Sequence, residues 1–177
     1  MTERQKYKVI QSYEDFELRE YEPCVIAEIK VSNLGSSESS GAFSVLFNYI
    51  SKGNDKSQKI AMTSPVINSQ QKGKSAPQAS HVSFVMPARS AIENLPSPMD
   101  SRVTLREIQS EICVAKSFRG RATKILSQKI EGVLRTSAGR ADIPLTAETR
   151  ICRFDPPYKP SIFQYNEIVI PVRLGGQ

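Results

Sequence analysis

The chain has 177 residues, 39% of them hydrophobic and 24% charged, enough for one well-buried core and short for two independent domains. A formal net charge of +6 leaves room for an anionic partner, but the basic residues are spread along the chain, so no nucleic-acid partner is expected. No apolar run is long enough for a transmembrane segment, the charged start lacks the apolar region of a secretory signal, and three cysteines without Cys-x-x-Cys spacing support neither a disulfide framework nor a zinc site; a cytoplasmic protein is the expectation.

The first elements read as strands. Residues 7–10 are extended, 12–15 break as a turn, and Phe16-Glu-Leu-Arg-Glu-Tyr alternates apolar and charged positions as a half-buried strand does. In this reading Arg19 and Glu20 face solvent, as do Arg106 and Glu107 further on. After Pro23, Val25, Ala27, Ile29 and Val31 share one face of a clear strand. Residues 33–41, rich in serine and glycine, predict a loop that ends by capping a helix.

That helix closes near Gly53 and carries more apolar surface than one sheet needs. Ala42, Val45, Leu46 and Tyr49 cluster on one side at about 100° per residue, and Phe43, Phe47 and Ile50 widen the stripe. Sheet packing absorbs the first group, which leaves the two phenylalanines at the helix edge, where an apolar ligand or a loop would cover them. Ordinary core packing is the alternative.

A strand is expected over 60–67, a polar loop over 68–80, and a strand over 82–87 with Val82, Phe84 and Met86 on one face. His81 has the opposite parity and is expected to be exposed rather than a metal ligand. The second half then replays the first. Leu105-Arg-Glu-Ile and Ile112-Cys-Val-Ala echo Leu18-Arg-Glu-Tyr and Val25-Ile-Ala. A helix follows each time, the second drawing on Ala122, Ile125, Leu126, Ile130, Val133 and Leu134, with Lys129 awkwardly inside that arc. Arg121, Lys124 and Arg135 fall on one side of it, read as a solvated face. Strands near 149–154 and 168–172 complete the chain. The expected fold is therefore α+β: a single domain over 1–177, a twisted, mainly antiparallel barrel of about eight strands flanked by two helices, built from two β-β-α-β-β-like repeats at roughly 7–87 and 102–173.

With these residues in view, the sequence resembles the SOUL heme-binding proteins. The resemblance rests on Phe16-Glu-Leu-Arg-Glu-Tyr, Phe47-Asn-Tyr-Ile, Lys59-Ile-Ala-Met-Thr-Ser-Pro-Val, Val82-Ser-Phe-Val-Met-Pro, Phe154-Asp-Pro-Pro-Tyr-Lys-Pro and Asn166-Glu, in family order over nearly the whole chain. It implies a barrel with two helices and a protein that binds heme or another porphyrin in a shallow apolar groove beside the first helix, as a carrier, buffer or sensor. It places Ser40, Phe43, Phe47 and Asn48 along the groove, with Tyr158 and Lys159 on an opposing loop stiffened by Pro156 and Pro157. Better-known members carry basic residues at the Ser40 and Asn48 positions, so propionate recognition here falls to Lys52, Lys159 or solvent. The duplicated architecture also looks like that of gyrase-inhibitor-type effector domains, which makes a non-heme effector-sensing or protein-interaction module the alternative. No triad, phosphate loop or metal-ligand spacing is present, so no catalytic or metal residues are assigned.

Overall fold

The structure is a computed structural model that describes residues 2–32, 34, 36–73 and 79–175, residue 36 by its backbone alone. Asn33, Gly35 and the centre of the expected polar loop, 74–78, lie outside the described residues. In chain order the strands are β1 (Glu3–Arg4), β2 (Tyr7–Ser12), β3 (Glu17–Tyr21), β4 (Cys24–Val31), β5 (Thr63–Ser64), β6 (Val66–Gln71), β7 (Ser80–Val85), β8 (Thr104–Ile108), β9 (Glu111–Arg119), β10 (Glu148–Arg153) and β11 (Tyr165–Pro171). The helices are α1 (Ser36–Ser51) and α2 (Lys124–Arg140).

Nine strands form one antiparallel sheet in the order β2-β3-β9-β11-β10-β6-β7-β4-β8. β1 pairs separately, in parallel, with β5. That small pairing reports the curl of the whole sheet. β5 leads into β6, five strand spacings from β2, about 24 Å in a flat sheet. Only Gln5 and Lys6 separate β1 from β2, a reach of roughly 10 Å. The sheet therefore bends into a half-barrel, and residues 3–6 cross its inner face as a strap, held by Gln5 N donating to Ser64 O at 2.9 Å.

Both helices lie on the outer face. α1 buries Ala42, Leu46, Tyr49 and Ile50 on Val25, Ala27, Ile29, Val82 and Phe84 of β4 and β7. The Tyr49 hydroxyl, 1% exposed, donates to Pro96 O at 2.8 Å, so its burial leaves no orphan polar atom. α2 buries Leu134 and Ala138, with Leu126 and Ile130, on Val114, Ile168 and Ile170 of β9 and β11. Its start is capped by Thr123, whose Oγ1 accepts from Leu126 N at 3.2 Å.

Several expectations need correction. α1 begins at Ser36, so the serine-rich loop is shorter than its composition suggests; Glu38 in the first turn accepts from Ser32 N and Oγ at 2.9 and 3.0 Å, where a carboxylate suits the positive helix end. The strand expected over 60–67 breaks at Pro65 into β5 and β6, and β6 continues to Gln71 inside the expected loop. His81 is half-buried, because β7 is covered on both faces: Val82 and Phe84 pack outward under α1 while Ser83 and Val85 are buried inward. On α2 the buried arc is narrower than predicted. Ile125 and Val133 are exposed together with Lys129, which removes the apparent conflict at the lysine. Arg135 is not on a solvated face: its guanidinium donates to Glu131 Oε1, Thr146 O and Thr149 Oγ1 at the sheet interface.

Candidate functional site

The edge of α1 keeps the surplus that its periodicity predicts. Leu46 is fully buried and Phe47, the next residue, is 49% exposed. Phe43 sits one turn earlier and its ring lies nearly parallel to that of Phe47, with centroids 6.1 Å apart and planes 11° from coplanar. Phe43 is also anchored edge-on to Phe84 of β7, with centroids at 5.1 Å. The pair is thus a fixed apolar ledge: one ring is pinned to the sheet and the other stacks on it in the open. Ser40 and Asn48, a turn before and just after, are exposed on the same helix. Asn48 O accepts from Gly53 N at 2.8 Å, ending the helix, and a Cβ on Gly53 would fall 2.8 Å from that oxygen, so the close turn requires glycine there.

Tyr158 and Lys159 lie on the β10–β11 connection. Tyr158 projects into solvent at 87% exposure. Lys159 is committed to the loop itself: its Nζ donates to Asp155 Oδ1 at 2.8 Å, while Asp155 Oδ2 accepts from Tyr165 N at 2.7 Å. The Lys159 ammonium beside it holds the Asp155 carboxyl below the usual aspartate value. This connection and the C-terminal end of α1 occupy the same end of the sheet. Ile60 N donates to Ile50 O, Thr63 Oγ1 donates to Val85 O at 2.5 Å, and Val66 pairs with Arg153, where the connection begins. In the sheet, β6 lies between β7, under α1, and β10.

The inner face holds a second feature, which the sequence reading missed. Beneath the strap is a cavity of about 40 Å³ lined by Arg4, Tyr7, Tyr21, Phe154, Glu167 and Val169, among others. At its side Arg19, 4% exposed, makes a bidentate pair with Glu167, 2% exposed, at 2.9 and 3.0 Å. Burial works against the Arg19 charge, but the Glu167 carboxylate and the Tyr21 hydroxyl together more than reverse this, so the Arg19 pKa is raised. Tyr165 donates its hydroxyl to Glu167 Oε1 at 2.7 Å, and burial together with that carboxylate pushes its phenol up to about 12. The expectation that Arg19 faces solvent is overturned. Residues 17, 19 and 21 of β3 point inward, and the curl of the sheet turns that face into an interior. A signal was present in Glu167, a lone acid between Asn166 and the apolar run Ile168-Val-Ile, which implied a buried cation partner.

Among the described residues, no three His, Cys, Asp or Glu side chains gather as a metal site. His81, opposite Lys30 and Ser69 in the sheet, alternates with Val82 onto the inner face, away from α1. Cys113 and Cys152 are buried thiols on that same inner face, and burial pushes both up, Cys113 to about 12, so neither is an activated nucleophile.

The fold defines a class of half-barrel proteins with two outer helices. The EcmrR C-terminal domain superposes with a TM-score of 0.68 at 14% identity, covering 94% of this chain and 98% of that one. A hydrolase encoded by lin2189 from Listeria innocua gives 0.62 at 10% identity, covering 93% and 94%. SAV2435, solved bound to tetraphenylphosphonium, gives 0.54 at 13% identity, covering 90% and 94%. At these identities the likeness concerns fold alone. No curated protein sequence matches the chain. The SOUL heme-binding protein family model, however, matches residues 2–171, and the chain belongs to that family.

Proposed function

We propose that the protein binds heme or a related porphyrin against the α1 ledge, as a carrier, buffer or sensor. The observation that carries this reading is the Phe43–Phe47 pair, two near-parallel rings held open beside a packed helix in a chain of the SOUL family. A planar macrocycle laid on the ledge covers both phenyl rings at little entropic cost, because Phe43 is already fixed by Phe84. Ser40 and Asn48 border the ledge with neutral hydrogen-bonding groups, and Tyr158 and Lys159 stand on the connection at the same end of the sheet. Lys159 meets a propionate only by sharing or leaving Asp155, so Lys52, exposed at the end of α1, is the readier cation. The apolar ledge fits the macrocycle face. Heme supplies a redox-active iron and a visible absorption band when bound; what the chain supplies is stacking and partial exclusion of water. His81 is on the other face and takes no part. Titration with hemin and with metal-free protoporphyrin tests the reading. Both are expected to give saturable absorption changes, Phe47→Asp to weaken them and His81→Ala to leave them unchanged; absence of saturable porphyrin binding contradicts it.

A second reading, a non-heme effector sensor, rests on the inner cavity and its aromatic lining. At about 40 Å³ the cavity is far below the size of an ordinary ligand pocket, and a lipophilic cation such as the one bound by SAV2435 would also find Glu167 already paired with Arg19, so it suits only a group of a few atoms that meets Arg4. The Arg4 guanidinium lies 5.1 Å from the Phe154 ring centroid. Tyrosine fluorescence titrated with small anions such as formate and acetate tests it; no saturable response removes the second reading.

A further inference from the structure

We propose that the end of the molecule formed by the β9–α2 and β10–β11 connections docks on an anionic membrane surface. This goes beyond porphyrin binding and uses neither phenylalanine of the α1 ledge. Two segments distant in sequence are locked side by side here. Gly120 N donates to Gln164 O at 3.0 Å, Asn166 Nδ2 donates to Gly120 O at 2.7 Å, and the Arg153 guanidinium donates to Ala122 O at 3.3 Å. Each segment exposes apolar side chains that no packing explains: Ile162 at 69%, Phe163 at 56%, and Ile125, in the first turn of α2, at 82%. Cations accompany them. Arg121 and Lys124, next to Ile125 in the chain, are exposed, and among the described residues neither has a carboxylate partner. The nearby acid of the loop, Asp155, is already held by Lys159.

The placement of these charges is not what folding alone selects. Lys124 opens α2 and Arg121 precedes its cap, with no acidic residue in the first turn, so both stand where the helix dipole is positive and opposes them. An external anionic surface removes that conflict. The apolar side chains identify which surface. Nucleic acid rewards aromatic stacking but gives isoleucine nothing, whereas a bilayer takes isoleucine and phenylalanine below its headgroups while the cations meet anionic lipid. Apolar insertion and basic charge together supply two signals, where one alone gives only marginal membrane binding.

Co-sedimentation with vesicles of phosphatidylcholine, with and without phosphatidylglycerol, tests the proposal on the full chain. Binding is expected only with the anionic lipid and is expected to fall as salt is raised. Arg121→Glu/Lys124→Glu and Ile162→Asp/Phe163→Asp are each expected to weaken it by about tenfold or more. All four residues are at the surface, and far-UV circular dichroism checks that each variant is folded. Ile125→Ser supplies a third variant, outside the loop that carries Tyr158 and Lys159, so its loss of vesicle binding with intact hemin titration separates this surface from the porphyrin site. Equal binding to neutral vesicles, no binding to either, or unchanged binding by the folded variants overturns the proposal. So does tight binding of a single-stranded oligonucleotide that depends on Arg121 and Lys124 but not on Ile162 and Phe163.

Discussion

The two helices lie on the same outer face of one sheet, yet only α1 presents an uninterrupted apolar ledge. On α1, Phe43 and Phe47 are four residues apart and therefore neighbours on the surface, and their rings stack. On α2, Ile125 and Val133 are also exposed, but Lys129 occupies the position between them, so they are separate apolar points. The sheet sides differ as well. α1 rests on an apolar interface, whereas α2 places Glu131, 7% exposed, against β10, where it accepts from Thr149, Lys72 and Arg135 at 2.7, 2.9 and 3.1 Å. Adjacency of exposed apolar groups, more than their number, marks a surface that can take a flat ligand.

The sharpest division to test lies between two consecutive residues of α1. Leu46 is sealed in the core, so Leu46→Ala is expected to cost about 2–5 kcal/mol in urea unfolding while the folded protein still takes up porphyrin. Phe47→Ala should reverse the pattern, with a stability loss below about 1 kcal/mol and a porphyrin affinity reduced about tenfold. If both substitutions destabilise equally, Phe47 belongs to the core and the ledge does not exist. The smallest expected effect is on α2. Burial raises the Glu131 pKa, but hydrogen bonds from Lys72, Thr149 and Arg135 outweigh it and hold the carboxyl below its ordinary 4.5. That stabilisation is present above the unfolded value and is lost as pH falls through the lowered native one. Glu131→Gln should flatten the acid limb of the stability profile, whereas Phe47→Ala should leave its shape unchanged.

What sequence could report here follows the range of the interactions. The Phe43–Phe47 ledge is local: it depends on helical periodicity and on one partner strand, and the pattern between Ala42 and Ile50 carried it. The Arg19–Glu167 pair is 148 residues apart in the chain and depends on the curl that turns one face of β3 inward, so Arg19 read as an ordinary strand charge. His81 was misread for the same reason, since alternation identifies a second face but not whether it is covered. The split of the 60–67 strand at Pro65 was legible in the proline itself. The narrow α2 arc was not, because Ile125 is apolar yet lies beyond the reach of the sheet.

The most direct measurement is a chemical-shift map of ¹⁵N-labelled protein titrated with diamagnetic zinc protoporphyrin. Shifts concentrated at Ser40, Phe43, Phe47 and Asn48, with a weaker set at Tyr158 and Lys159, are the result expected if the macrocycle lies on the α1 ledge. Shifts confined to Tyr7, Tyr21 and Glu167 on the inner face, or none that saturate, would contradict it.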